Sequence, residues 1–109
     1  MTELVLLNYL KSVLSVPVYM EKPASDSEFV LIEKTGSSES NHIYSVTFAI
    51  QSWSTSLYKA AELNEQVKQA MNKMPQIVDI SKAKLNSDYN YTDTTTKSYR
   101  YQAVYDLVF

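Results

Sequence analysis

Between His42 and Met74 two hydrophobic periods meet with almost no chain between them, which constrains the fold to a strand that runs directly into a helix. From His42 to Trp53 the residues alternate. Tyr44, Val46, Phe48 and Ile50 fall on one side and Ser45, Thr47, Ala49 and Gln51 on the other, the two-residue period of a half-buried strand. From Ser56 to Met74 the apolar positions Leu57, Ala60, Ala61, Val67, Ala70, Met71 and Met74 follow a helical period, with Ser56 or Ser54 placed to cap it. Lys59 with Glu62 and Glu65 with Lys68 add opposite charges at i,i+3 spacing. Pro75 lacks an N–H and is expected to end the helix. The apolar face of the strand belongs to a core. Its other face, small and polar with Trp53 at the end, suits either solvent or close approach by another subunit.

The flanking chain supplies more strands and a second helix. Leu6, Leu7, Leu10, Val13 and Leu14 form one apolar face of a helix expected from Glu3 to Leu14, with Thr2 as its cap. Pro17 pushes Val16 toward an extended conformation, and Val18-Tyr19-Met20 reads as a short strand. Pro23 to Ser27 is a polar loop, and Phe29 to Lys34 is an apolar strand suited to a sheet interior. Gly36-Ser37-Ser38-Glu39-Ser40-Asn41 is expected to be a mobile small-residue loop. After the second helix, Ile77 to Ile80 leads back to the sheet. Ala83, Leu85, Ser87, Tyr89 and Tyr91 then alternate with Lys84, Asn86, Asp88 and Asn90. Thr92-Asp93-Thr94-Thr95-Thr96-Lys97 is a polar link, also expected to be mobile. It precedes a last strand with Tyr99, Tyr101, Ala103, Tyr105, Leu107 and Phe109 on one face. This order predicts a single α+β domain over residues 1–109, one mostly antiparallel (mixed) sheet carrying two helices.

Composition narrows the chemistry. With 109 residues, one core is expected. Only one glycine is present, so positive φ is expensive; tight two-residue hairpins are expected to be rare and loops long, with Asn or Asp standing in. Cysteine is absent, which removes disulfides, thiolate metal sites and cysteine nucleophiles. The net charge of −2 is scattered and gives no electrostatic grip on nucleic acid. The apolar run Leu4 to Leu7 is far short of the ~20 residues of a membrane span, and Glu3 precedes it where a secretory signal would carry basic residues. The expectation is an unexported, soluble chain.

Each chemical candidate has a plainer reading. His42, the only histidine, sits beside a polar loop and reads as a surface residue without a partner for base catalysis. Asp88 to Asp93 superficially matches a calcium loop, but the glycine and glutamate such a loop needs are replaced by Asp93 and Tyr99. Asn90-Tyr91-Thr92 matches a glycosylation acceptor that has meaning only in an exported chain. The tyrosines with Lys82, Lys84, Lys97 and Arg100 could stack single strands, yet alternation sends them to a core or interface face. Met71 and Met74 read as core filler. No enzyme, metal site or cofactor is expected.

Seven stretches in order then carry a resemblance: Val16 to Glu21, Phe29 to Gly36, Asn41 to Ile43, Ala49 to Ser54, Leu57 to Asn64, Leu85 to Asp93 and Tyr99 to Asp106. Together they resemble the small tail-terminator or tail-completion proteins of long-tailed, non-contractile phages of Gram-positive bacteria. The resemblance implies a virion protein that closes into a ring, commonly a hexamer, on the head-proximal end of the tail tube. There it would stop tube growth and meet the capsid connector, with DNA only in transit through the lumen and no membrane partner. Its expected contacts are itself, the major tail-tube protein and head–tail connector proteins. The candidate assembly surfaces are Ser45, Thr47, Ala49 and Gln51, the segment Gly36, Ser37, Ser38, Glu39, Ser40 and Asn41, and the segment Thr92, Asp93, Thr94, Thr95, Thr96 and Lys97. The alternatives are a head–tail connector subunit one ring higher, or a small non-catalytic peptide- or ligand-binding module.

Overall fold

The strand-to-helix junction forms as its periods require. A computed structural model describing all residues from Met1 to Phe109 contains α1 (Thr2–Val13), β1 (Val18–Tyr19), β2 (Phe29–Ser40), β3 (Ile43–Ser54), α2 (Leu57–Ile77), β4 (Lys82–Asn90) and β5 (Tyr99–Val108). Ser56 caps α2 by accepting the Lys59 N–H at 3.2 Å. The five strands form one sheet in the order β1-β2-β3-β5-β4. β1 pairs parallel with β2, and the other neighbours are antiparallel, so the architecture is α+β with a mixed sheet and two helices. β3 and β4 run the same way with β5 inserted between them, and α2 is the crossover that joins them.

Both helices lie on one face of the sheet. Val46, Phe48 and Ile50 of β3 and Ala103, Tyr105 and Leu107 of β5 are buried with Val67, Met71 and Met74 of α2 and Leu6 and Leu10 of α1. Full burial of such side chains contributes ~1.5–3 kcal/mol each. The Tyr9 hydroxyl donates to the Ala70 carbonyl at 2.6 Å and ties the helices together. On α2 the buried stripe includes Leu63 and Asn64, whereas Leu57 at the first turn is 40% exposed.

Several expectations need correction. Gly36 to Ser40 is the far half of β2, because β3 offers a backbone ladder along its whole length and small hydroxylated residues accept it. The β2–β3 connection is the two-residue turn Asn41-His42, with φ of 50° and 67°. These are the positive angles that a type I′ hairpin demands. Asn41 stands in for glycine as composition suggested, but His42 does so too, and the connections are mostly short. Gly36 needs no special angle; it follows a bulge at Thr35 and open space surrounds it.

Thr2 lies inside α1, which Met1 precedes. Its hydroxyl hydrogen-bonds the Glu3 carboxylate at 3.1 Å and caps no backbone N–H. The helix stops at Val13, where Leu14 turns extended. Pro75 falls inside α2, which continues to Ile77. Its position in the last turn forfeits a single backbone bond, and the Val78 N–H still closes on Met74 at 2.8 Å.

In β4 a bulge at Asn86 reverses the alternation. Leu85 faces the helices with Tyr105, whereas Tyr89 turns away from them with Gln102; Asp88 turns inward toward α2 instead of onto an exposed face. The segment Thr92 to Lys97, expected as a mobile link, is a closed hairpin end. Asp93 bridges Ser98, the Thr95 N–H donates to Asp93 at 3.0 Å, and Thr92 exchanges bonds with Arg100.

Candidate functional site: the uncovered face and edges of the sheet

With both helices on one side, the opposite face of the sheet has no covering layer, and its side chains organise one another. Across one end of the sheet runs a row of stacked rings. Tyr19 meets Phe29 edge-on at 6.0 Å, and Phe29 stacks on Trp53 at 5.2 Å. The Arg100 guanidinium lies 4.5 Å from the Trp53 ring and 5.0 Å from Tyr91. Register explains the row, since Phe29, Trp53 and Arg100 are direct neighbours on β2, β3 and β5, and Tyr91 follows on the far side. Lys22 approaches Trp53 at 5.2 Å. Arg100 makes no ion pair, and its Nε is buried without an acceptor.

Beside this row lies a polar chain. Trp53 Nε1 donates to Gln51 at 3.0 Å, Gln51 Nε2 donates to Gln102 at 2.9 Å, and Gln102 Nε2 donates to the Tyr89 hydroxyl. Further along, Asp106 accepts from the Thr47 hydroxyl at 2.7 Å and from Asn86 at 3.1 Å. These bonds knit β3, β5 and β4 on the open face. They also cover part of it: Gln51 is 9% exposed and Ala49 4%, while Ser45 and Thr47 stay half-buried.

The structure gathers some candidate residues and separates others. Gly36 pairs with Thr47 and Ser38 with Ser45, so these four share one open patch at the hairpin end. Ser37 and Glu39 project on the opposite side of β2, which is exposed from Glu33 to Ser40. Asn41 occupies the turn. Thr92 to Lys97 lie at the other end of the sheet beside Arg100, about 30 Å away along β3. The two segments therefore address opposite ends of the molecule.

On the helix side, a groove of about 360 Å³ between α2 and the β4–β5 pair is lined by Tyr58, Asn64, Glu65, Lys68, Asp88 and Tyr101, among others. Lys68 bridges Asp88 at 2.6 Å and Glu65 at 2.9 Å, and these two carboxylates hold its ammonium charged well above the usual lysine range. Burial raises the Tyr105 phenol. The groove thus shares its one ammonium between two carboxylates, stays acidic with Glu62, and holds no nucleophile beside a base. No group of three or more His, Asp or Glu side chains is placed to hold a metal ion. His42 stands exposed at the hairpin turn.

Comparison with protein-family models and with curated proteins yields no match for this chain. Sequence reasoning named Arg100 with the tyrosines but not its stacking on Trp53 in a row with Phe29, and it missed the open edges, because the first depends on cross-strand register and the second on strand order.

Proposed function

We propose that this chain is a non-catalytic assembly subunit that closes into a ring, acting as a tail-terminator of a long-tailed phage or prophage. The observation that carries this reading is the one-sided layering of the sheet, which leaves the opposite face and both edges available to other chains. Glu33 and Asp106 stand among Lys82, Lys84 and Arg100 on the open face, a mixed-sign surface that would let DNA pass without gripping it. No helix is long and apolar enough to cross a membrane. The ring, commonly six copies in the proteins that the sequence resembles, would sit on the head-proximal end of the tail tube in the virion, between the major tail-tube protein and the connector. A subunit of the connector itself, one ring higher, would use the same open surfaces against different neighbours.

A second reading has one observation of its own. The unpaired Arg100, stacked between Trp53 and Tyr91, would suit a peptide- or ligand-binding module that recognises a carboxylate.

The test is electron microscopy of phage particles made with and without this protein. A terminator predicts overlong, headless tubes in its absence and tails of fixed length in its presence. Deleting Thr92 to Lys97 should block one junction, tube or connector, and leave the other intact. Normal tails in its absence would sink the proposal.

A further inference from the structure

Two long strand edges of this sheet are unpaired. β1 covers only Val30 and Leu31 of β2, so β2 is an open edge from Ile32 to Ser40. At the other side β4 is open from Lys82 to Asn90. These runs have the same length, and a natural sheet rarely leaves such edges without a purpose or a guard.

Their free charges are opposite. On β2, Lys34 is held by Glu3 at 3.5 Å, which leaves Glu33 and Glu39 without ion pairs. On β4, Asp88 is held by Lys68 at 2.6 Å, which leaves Lys82 and Lys84. A two-fold contact of β2 with β2 would set acid against acid, and β4 with β4 would set lysine against lysine. Only β2 against β4 joins unlike edges.

Strand direction agrees. β2 opposes β3, β3 opposes β5 and β5 opposes β4, so β2 and β4 are antiparallel within one subunit. Rotation about a ring axis preserves the sense of each strand along that axis. β4 of the next copy therefore meets β2 antiparallel, the more favourable ladder. We infer that copies of this chain join head to tail, the β2 edge of one pairing with the β4 edge of the next to continue the sheet around a closed ring. This rests on the ring-forming reading above and adds which surfaces meet.

The backbone shows where to block it. The Phe109 N–H donates to the Tyr44 carbonyl at 3.0 Å, so Tyr44 turns its backbone toward β5. Its β2 partner, Glu39, therefore turns its own N–H and C=O to the open edge, as does Ser37 two residues before. Ser37→Pro removes an edge donor and spares the β2–β3 ladder. Lys82→Glu with Lys84→Glu reverses the other edge.

Analytical ultracentrifugation of the full chain over a concentration series tests the inference. The unmodified protein is expected to form one discrete oligomer. Each variant should weaken that association at least about tenfold, with its far-UV circular dichroism unchanged. Mixed together, the two variants should form a 1:1 dimer that grows no further, since each keeps one intact edge. Glu33→Lys with Glu39→Lys replaces the proline variant if the latter melts early; its mixture with the Lys82→Glu, Lys84→Glu variant should then regain the full oligomer, since both junctions again join unlike charges. An unmodified protein that stays monomeric, variants that assemble like it, or a mixture that stays monomeric would each overturn edge pairing. The tail-length assay reports separately on the phage reading, which an oligomer built through another surface would leave standing.

Discussion

His42 holds a backbone φ of 67° that side chains normally avoid, and it does so at the second position of a turn that favours glycine. Replacing it, His42→Gly, should relieve that cost and raise stability by ~0.5–1 kcal/mol, less than the full relief because glycine also loses more freedom on folding. A thermal melt checks this; an unchanged or lower midpoint would contradict it. At the other end of the sheet, Asp93 accepts the Thr95 N–H, which holds its carboxyl below the ordinary 3.8. A lowered value in the folded state means that its stabilising effect is complete above pH 3.8 and is lost as pH falls through the folded value. The Thr95 amide shift followed by NMR should therefore inflect below pH 3.8; inflection at or above it would show that the bond adds nothing. Neither residue announced its role in the sequence. Asn-His lacks the glycine that marks such turns, and Asp93 sits in a threonine run that reads as a loose link.

At the scale of elements, the bulge at Asn86 decides which way half of β4 faces. It sends Asp88 to Lys68 and releases Tyr89 and Tyr91 to the open face, where Tyr91 completes the Arg100 stack. Deleting Asn86 would remove the bulge and leave regular pairing, with Leu85 opposite Tyr105 and Ser87 opposite Val104, so Asp88 stays on Lys68 and Tyr89 on the open face. A loss under about 1 kcal/mol is expected in urea titration, whereas a loss of about 3 kcal/mol or more would mean that the extra twist of the bulge is needed to seat β4 against α2. The core strands and α2 were legible because their apolar periods are long: Val46, Phe48 and Ile50 are buried as alternation requires, and Ser56 caps where expected. The far half of β2 was not. Gly36 to Ser40 has no apolar period, and β3 makes it a strand by pairing with it. Pro75 misled for a related reason, since proline in a last turn costs one bond where in mid-helix it would cost the helix.

For the whole molecule, the helix-strand order fixed an α+β domain with one sheet and two helices, and the structure has that architecture. The candidate surfaces were legible only in part. Ser45 and Thr47 join Gly36 and Ser38 in one open patch, while Gln51 and Ala49 are covered by neighbours that only the sheet order could reveal. Strand order also created the two edges on which assembly is proposed to turn, and no local stretch of sequence encodes it. As proposed, this chain caps a growing tube as a closed ring. The most direct test adds the purified protein to polymerising tail-tube subunits and measures tube length by negative-stain electron microscopy. Shorter tubes of narrow length distribution with a ring at one end only are expected; tubes of unchanged length with bare ends would rule out capping.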